Sequence, residues 1–520
     1  MSERQGRSSD ERRDDSHRDE KGRERGRARA TGAGNRSEQA PSQRARSTDP
    51  IRLLAYDVLR SVDESDAYAN LVLPARLREA GLDPRDAGFA TELTYGTLRM
   101  RGRYDAVLAY CVDRPLGELD DALLDALRLG AHQVLSMRVP AHAAVSQTVG
   151  LVRDRVGIGA AQLANAVLRK VAREEWPAWR ARILADAADE LAGLAAVESH
   201  PAWVVRALRE SLVANGRDAE ELRSLLEADN VPPLVTLVAR PGLLDRRDLA
   251  LGLEGSRAGR WSPYAVTMSS SDPGRVPSVK RGRAGVQDEG SQLVAAALTV
   301  VEVDGPDERW LDLCAGPGGK SALLAALAGE RGARIVANEV APHRAGLVRD
   351  NLRAVPADAV ESVRVGDGRT LGQEEPGSYD RVLVDAPCTG LGALRRRPES
   401  RWRRAPADVP ALAQLQRELL TSALDAVRPG GVVAYVTCSP HLAETRFVVK
   451  DVLRGRDDVE VLDARKAVAA VVRENLRGDQ ADDDATAPEL WGGSDDVQLW
   501  PHVHGTDAMH LTLLRRTASD

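Results

Sequence analysis

Residues 309–329 read RWLDLCAGPGGKSALLAALAG, an apolar run followed by a glycine-rich loop and an apolar helical stretch. Glycines let the backbone approach a ligand closely, and the first turn of a helix offers unpaired N–H groups. The pattern predicts a strand, a cofactor-binding turn and a helix. A purely structural strand–helix turn would leave the same pattern.

Two nucleotide-binding loops are excluded by the spacing of these residues. A Walker A loop, GxxxxGK[ST], needs a glycine at the position of Cys314. A dinucleotide GxGxxG loop does not fit, because the glycines are Gly316, Gly318 and Gly319. The loop alone therefore indicates a cofactor without naming it.

Apolar strands alternate with helical stretches from residue 309 onward. The strands read RWLDLCAG (309–316), RIVANEV (334–340), VESVRVGD (360–367), YDRVLVDAP (379–387) and GGVVAYVTCS (430–439). This alternation implies right-handed crossovers and predicts an α/β domain with a parallel, doubly wound sheet. A last apparent strand, MHLTLLRR (509–516), ends the domain.

Acidic side chains follow two of these strands. Glu339 ends the second strand, where an acid typically binds ribose hydroxyls. Asp367 ends the third strand in Gly-Asp-Gly and could face an adenine amino group. Each also fits a plain interpretation, a solvated helix cap for Glu339 and an ordinary Asp-Gly turn for Asp367. Because open α/β sheets bind ligands at the carboxyl ends of their strands, the combination is more specific than either acid alone.

Two of the four cysteines lie at the same predicted edge. Cys388 follows the fourth strand in DAPCTG, and Cys438 ends the fifth in TCSP. Most free cysteines are small buried hydrophobes, which suits Cys111 and largely Cys314. Thiols at strand ends instead favour a nucleophile and a proton shuttle. Without a Cys-x-x-Cys pair, and with scattered histidines, we predict no metal.

The rest of the chain divides by composition. Residues 1–48 contain no Val, Ile, Leu, Phe, Trp or Tyr and carry 13 basic against 9 acidic residues. They predict a disordered tail, either solubilising or holding RNA phosphates. Helical periodicity predicts an all-helical domain over 49–190, starting at Asp49-Pro50. A small α+β linker subdomain over 195–300 follows, with a helical piece at 203–228 and a strand in NVPPLVTLVARPG. The α/β domain covers 301–520, including an exposed acidic insertion at 478–497.

The overall composition sets outer limits. The 520 residues are 43% hydrophobic and 29% charged, with a net charge of −6, so any electrostatic case for nucleic acid must be local. Four cysteines exclude a disulfide scaffold, and no apolar run reaches the length of a membrane span. The N-terminus has no apolar signal-peptide core. We expect a soluble, cytoplasmic protein, monomeric by default.

Three motifs resemble those of RNA 5-methylcytosine methyltransferases in order and spacing: LDLCAGPGGK (311–320), DAPCTG (385–390) and YVTCSP (435–440). GVQDEGSQL (285–293) also matches the segment before the cofactor strand in that family. In the helical domain, RPLGELDDALLDALRLGAHQVL, VPAHAAVSQTV and NAVLRK resemble a NusB-like RNA-binding domain. The resemblance implies S-adenosylmethionine as cofactor and RNA as partner, most specifically small-subunit ribosomal RNA.

The resemblance also implies roles for individual residues. Glu339 takes the ribose position, where Asp is commoner, Asp367 the adenine side, and Asp385 a place beside both cofactor and target base. Cys438 matches the nucleophile and Cys388 the cysteine that assists product release. The cofactor loop comprises Cys314, Ala315, Gly316, Pro317, Gly318, Gly319 and Lys320. Gly316 departs from the usual Ala-Pro-Gly-Gly-like pattern, and we expect that to be tolerated because glycine adds freedom rather than bulk.

A cluster of arginines follows the Cys388 loop and could bind the RNA backbone. A solvated surface run would explain the same cluster. Its members are Arg395, Arg396, Arg397, Arg401, Arg403 and Arg404.

Other functions remain open at this point. A transfer RNA methyltransferase of the same chemistry fits the motifs, as does a non-catalytic NusB-like antitermination factor with a degenerate sheet domain. A DNA 5-methylcytosine enzyme would place its nucleophile at the Cys388 loop, which leaves Cys438 unexplained. An amino-group methyltransferase would show an Asp/Asn-Pro-Pro-aromatic loop, whereas residues 385–388 are Asp-Ala-Pro-Cys.

Overall fold

Asp49 begins the first helix as an N-cap, its carboxylate accepting hydrogen bonds from the backbone N–H groups of Ile51 and Arg52. The computed structural model describes residues 48–65, 67–269, 272–476 and 487–518. Apart from Thr48, the predicted tail lies outside the described residues.

The first part of the chain is helical, as predicted. Its helices are α1 (Pro50–Glu64), α2 (Ala69–Ala80), α3 (Pro84–Arg99), α4 (Arg101–Ala109), α5 (Asp121–Leu135), α6 (Ala141–Arg155), α7 (Ile158–Val171), α8 (Trp176–Asp186) and α9 (Glu190–Val197). Helix α5 packs at the centre of the helical domain, and its Leu123, Leu127 and Leu129 belong to the single hydrophobic core to which these helices contribute. The helices continue to Val197, past the predicted boundary at 190.

In the linker subdomain, one predicted helical piece is divided into two helices. The predicted piece at 203–228 is two helices, because Gly216 has a positive φ of 75° and Asp218 starts a new turn with a capping box. Its elements are α10 (Ala202–Ala214), α11 (Leu222–Asp229), β1 (Val235–Ala239), α12 (Arg246–Leu251), β2 (Arg257–Ala258), β3 (Ala265–Met268), α13 (Pro277–Lys280) and β4 (Ala284–Val286). The strands form an antiparallel sheet in the order β2-β3-β1-β4.

The last part of the chain contains the predicted α/β sheet. Its elements are α14 (Glu289–Val300), β5 (Arg309–Asp312), α15 (Gly319–Gly329), β6 (Arg334–Glu339), α16 (Pro342–Leu352), β7 (Val360–Val365), α17 (Leu371–Glu374), β8 (Tyr379–Asp385), α18 (Ser400–Arg403), α19 (Val409–Ala426), β9 (Val427–Thr437), α20 (Arg446–Leu453), β10 (Val459–Leu462), α21 (Ala464–Leu476), α22 (Pro488–Trp491), β11 (Val497–Gln498), α23 (Pro501–His504) and β12 (His510–Arg516).

The sheet order, β10-β12-β9-β8-β5-β6-β7, confirms the doubly wound arrangement and adds an antiparallel edge. The five predicted strands, β5 to β9, pair in parallel. The last predicted strand, β12, runs antiparallel to β9. Strand β10 pairs with the other side of β12, also antiparallel. Helices α14, α15 and α21 cover one face of the sheet, and α19 and α20 cover the other. The carboxyl ends of β5, β6, β7, β8 and β9 therefore share one edge.

The predicted acidic insertion is partly wrong. Residues 477–486 lie outside the described residues and residues 493–495 are exposed, but Trp491, Asp496 and Val497 are buried. Trp491 is fully buried, with its ring 5.1 Å from that of Trp261 and 5.3 Å from that of His504. Burial of a side chain as large as that of Trp491 is favourable enough to hold this part of the segment against the core, although its neighbours are acidic.

Candidate active site

The glycine-rich loop between β5 and α15 lies tightly against α16. Gly318 has a positive φ of 110°, and a Cβ atom there would lie 2.9 Å from Cα of Val348 and 3.0 Å from Cβ of Asn351. A larger residue would be strained by its backbone conformation and would collide with α16. Gly318 is thus the residue that allows the loop to follow this path.

Glu339 is buried at the end of β6 and braces the same loop. Its Oε2 accepts a hydrogen bond from the Gly316 N–H at 3.0 Å, and its Oε1 accepts one from the Ala341 N–H at 3.0 Å. Arg344 lies 3.5 Å from the carboxylate. A Cβ atom at Gly316 would lie 2.2 Å from Glu339 Oε2. A side chain at position 316 would therefore displace the Glu339 carboxylate from its present place, so the loop as it stands favours glycine.

Asn338 ties the loops of three strands together. Its Nδ2 donates hydrogen bonds to the carbonyls of Leu313 and Gly366, both at 3.1 Å. Asp367 lies in the loop after β7, where its half-exposed carboxylate accepts a hydrogen bond from Arg369 Nη2 at 2.6 Å. That hydrogen bond lowers the pKa of Asp367.

Lys320 and Asp385 form an ion pair across the site. Lys320 Nζ on α15 lies 2.8 Å from Asp385 Oδ2 at the end of β8. Burial opposes the charge on Lys320, but the carboxylate of Asp385 outweighs it and raises the pKa of Lys320. The site therefore keeps a cation beside the loop that carries Cys438.

Asp312, the last residue of β5, is a buried acid that the sequence did not single out. Burial raises the pKa of this carboxyl group to about 7, against the hydrogen bond that it accepts from Ser321 Oγ at 2.6 Å. An acid inside the apolar run LDLC was the signal available. Burial likewise raises the pKa of the neighbouring Cys314, which remains a thiol.

The thiols of Cys388 and Cys438 are in contact, with their Sγ atoms 3.3 Å apart. The hydrogen bond with Cys388 lowers the pKa of Cys438, against burial and the charge of Asp385, and the charges of Lys320 and Arg397 also lower it. The same hydrogen bond, burial and the nearby charge of Glu444 raise the pKa of Cys388. The environment therefore favours a thiolate at Cys438 and a thiol at Cys388.

Three of the six arginines, Arg395, Arg396 and Arg401, are bound by other parts of the protein and do not fit the predicted contact with RNA. Arg401 is fully buried, and its guanidinium donates to the carbonyls of Arg99, Ser199 and Asp229 at 2.8–3.1 Å. Burial lowers its pKa to about 9. Because these partners enclose the guanidinium, Arg401 joins the helical domain, the linker and the α/β domain instead of binding a phosphate.

Arg395 and Arg396 are likewise engaged within the protein. Arg396 Nη2 lies 2.5 Å from Asp288 Oδ1, and its Nε lies 3.1 Å from Asp507. Arg395 is buried and donates to the Gly505 carbonyl at 2.9 Å. Asp288 belongs to the GVQDEGSQL segment and caps α14, so that motif holds the Cys388 loop against β12 and α14.

Arg397 is the exposed member of the cluster that faces the cysteines. Its guanidinium lies 5.1 Å from the ring of Tyr68, and that of Arg403 lies 4.7 Å from the same ring. Arg403 also donates to the Val62 carbonyl at 3.1 Å. The helical domain thus reaches the loop that follows Cys388. RNA contact by Arg397, Arg403 and Arg404 stays a prediction.

Comparisons with known proteins decide the family. The profile described as 16S rRNA methyltransferase RsmB/F matches residues 299–515, and that of the NusB family matches 49–173. Ribosomal RNA small subunit methyltransferase B of Pseudomonas putida is 33% identical, over 79% of this chain and 91% of its own. The chain belongs to the RsmB/F family.

Two further comparisons are with a relative and with a solved structure. A Mycobacterium tuberculosis protein whose name describes it as a methyltransferase is 51% identical, over 91% of this chain and 98% of its own. The crystal structure of PH0851 has the same fold, with a TM-score of 0.71 and 21% identity over 90% of this chain and 99% of its own. This RsmB/F protein is an RNA methyltransferase, so the non-catalytic alternative is wrong.

Two searches of the described residues give negative results. Within them we find no group of three or more His, Cys, Asp or Glu side chains placed to hold a metal ion. Over the same ranges, no helix is both long and apolar enough to span a membrane.

Proposed function

We propose that this protein transfers a methyl group from S-adenosylmethionine to C5 of a cytosine in small-subunit ribosomal RNA, through a covalent bond between Cys438 and C6. The observation that carries the proposal is the 3.3 Å contact between Cys438 and Cys388 at the strand edge that also holds the glycine-rich loop. One thiol is poised to attack, and the other lies beside it to assist its departure.

The residues at this edge fit the cofactor. Gly316 and Gly318 form a cradle that a Cβ atom would fill, and Glu339 lies against it. We assign the ribose hydroxyls to Glu339 and the adenine side to Asp367. Val340 follows Glu339 and is 64% exposed, so its apolar side chain would be available to the adenine ring. When bound, S-adenosylmethionine supplies an electrophilic methyl group.

The reaction needs a nucleophile because C5 of cytosine is too weak to accept the methyl group unaided. The Cys438 thiolate forms a bond to C6 as the C5–C6 double bond breaks, which moves electron density to C5. C5 would then take the methyl group as the methyl–sulfur bond breaks, leaving a neutral thioether. When a base takes the C5 proton, that electron pair re-forms the C5–C6 double bond and Cys438 leaves as a thiolate. Lys320 and Arg397 favour the thiolate electrostatically.

Two further side chains act around this step. Cys388 holds a proton 3.3 Å from the departing sulfur and can donate it there. Asp385, fixed by Lys320 at 2.8 Å, can accept a hydrogen bond from the amino edge of the base as charge builds. Because the target base must leave its stack for C6 to reach Cys438, we expect a cytosine in a single-stranded or loop region.

Ribosomal RNA is the favoured substrate because the Pseudomonas putida relative is named for the small ribosomal subunit. Transfer RNA is the alternative. The test incubates the protein with isotopically labelled S-adenosylmethionine and either small-subunit ribosomal RNA or bulk transfer RNA, both from cells lacking the enzyme. Labelled 5-methylcytidine in ribosomal RNA supports the proposal. Label confined to transfer RNA, or in another nucleoside, contradicts it.

A further inference from the structure

Glu444 is a fully buried acid six residues beyond Cys438, and the mechanism above does not use it. It ends a short turn, Leu442–Glu444, that follows the TCSP motif. Four hydrogen-bond donors face its carboxylate: Thr389 N and Oγ1, Ser439 Oγ and Gln416 Nε2, at 2.5–3.3 Å. A group surrounded by donors in this way fits an ionised carboxylate, which only accepts.

These donors come from the two cysteine loops. Thr389 directly follows Cys388, and Ser439 directly follows Cys438. Their hydroxyls both donate to Oε2, and they lie 3.1 Å from each other. Gln416 on α19 also donates to the carbonyl of Pro387 at 2.7 Å. One carboxylate is therefore bonded to the immediate neighbours of both thiols.

Packing alone does not explain an acid at this place. Burying a carboxylate is costly unless its oxygens are hydrogen-bonded, and apolar residues of similar volume are often as stabilising. The arrangement around Glu444 instead fixes geometry, because each oxygen accepts from a defined atom in the Cys388 loop. The backbone N–H of Thr389 adds a contact that does not depend on the rotamer of Thr389.

We propose that Glu444 is a positioning residue that sets the separation and alignment of the Cys388 and Cys438 sulfur atoms by tying their two loops together. This inference rests on the proposed function for its catalytic consequence. Its geometric content, the alignment of the two thiols, can be measured without any methylation.

The geometric test is oxidation of the full-length protein by diamide, which takes up two hydrogen atoms as two thiols form one disulfide. Loss of two alkylatable thiols, located by mass spectrometry, reports the Cys388–Cys438 bond. Glu444→Asp keeps the charge but retracts the carboxylate, so the disulfide should form about tenfold more slowly, as expected when reacting atoms lose alignment. Glu444→Gln keeps the length and should stay within about threefold of wild type on the same argument.

Two variants control this comparison. Glu460→Asp shortens an exposed acid on β10 and should oxidise like wild type. Thr389→Val removes one hydroxyl donor while keeping the side-chain shape, and should slow oxidation by an intermediate factor. It replaces Glu444→Asp as the decisive variant if the latter does not fold. Equal oxidation rates across the series overturn the inference, as does slowing in Glu444→Gln without slowing in Glu444→Asp.

The catalytic test uses the same variants. In Glu444→Asp, kcat should fall by about 10- to 100-fold, while KM for RNA and the affinity for S-adenosylmethionine stay unchanged, because misplacement acts on the reacting atoms. A rise in KM with unchanged kcat overturns the inference. If wild-type protein methylates nothing but Glu444→Asp still slows disulfide formation, the proposed function fails while the positioning role stands.

Discussion

Gly316 and Glu339 are matched in size: a Cβ atom at position 316 would lie 2.2 Å from Glu339 Oε2, the atom that accepts the Gly316 N–H hydrogen bond. The longer acid and the missing side chain therefore depend on each other. Their pairing places a carboxylate against the loop that we assign to the cofactor.

The first prediction follows from this pairing. Gly316→Ala should weaken S-adenosylmethionine binding at least about tenfold, because the methyl group displaces the Glu339 carboxylate. Adding Glu339→Asp retracts the carboxylate and should restore much of the affinity, a coupling expected of residues in contact. Glu339→Ala should bind weakly yet stay folded. Calorimetry measures the affinity for S-adenosylmethionine of wild type, the two single variants and the double variant. Equal affinity in Glu339→Ala and wild type would remove Glu339 from the cofactor site.

A second prediction concerns the thiolate. Alkylation of Cys438 by iodoacetamide should increase as pH rises through its pKa, which lies below the usual 9.0. Lys320→Met removes a cation that stabilises the thiolate, so the profile should move to higher pH. Lys466→Met changes an exposed lysine on α21 and serves as the control. An unchanged profile in Lys320→Met would show that Lys320 does not stabilise the thiolate.

Much of this arrangement could be predicted from local sequence. Four of the strands from β5 to β9 contain apolar runs, and β7 mixes valines with polar residues. Residues such as Glu339, Cys388 and Cys438 reach one edge because parallel strands end together. The fate of Arg401 could not be predicted in that way. Its partner Arg99 lies 302 residues away, and a run of arginines has the same local pattern whether solvent or carbonyl groups surround it.

The third prediction tests the buried arginine. Arg401→Ala should lower the free energy of unfolding by about 3 kcal/mol, because it leaves several buried carbonyl groups without a donor. Arg404→Ala, outside this cluster of carbonyls, should change stability by less than about 0.5 kcal/mol. Urea denaturation of both variants gives the comparison. Equal free energies of unfolding in the two variants would mean that the Arg401 contacts make no net contribution to stability.

The same contacts alter how the helical domain should be tested. We predict that it binds or positions RNA, but deleting it would also remove the Arg99 carbonyl from Arg401 and the Tyr68 ring from Arg397. Point substitution is the cleaner experiment. Tyr68→Ala should raise KM for RNA and leave cofactor affinity unchanged, with unfolding followed in parallel to exclude a loss of structure. Unchanged KM would separate Tyr68 from RNA binding.

RNA affinity should fall with salt, because phosphate contacts release counterions. Arg397→Ala should reduce the slope of log K against log salt by about 1, since one exposed guanidinium beside the cysteines is lost. Binding is measured at several salt concentrations with a small-subunit ribosomal RNA fragment. An unchanged slope would mean that Arg397 does not meet a phosphate.

We assign attack on C6 to Cys438 and product release to Cys388. Attack on C6 precedes methyl transfer, whereas departure of the thiol follows it. Cys388→Ala should therefore form the adduct and hold it, and Cys438→Ala should be inactive and form none. The most direct measurement is a denaturing gel of each variant after incubation with RNA and S-adenosylmethionine. We predict a protein–RNA complex for Cys388→Ala and none for Cys438→Ala. The reverse pattern, or full activity in both variants, would contradict the account.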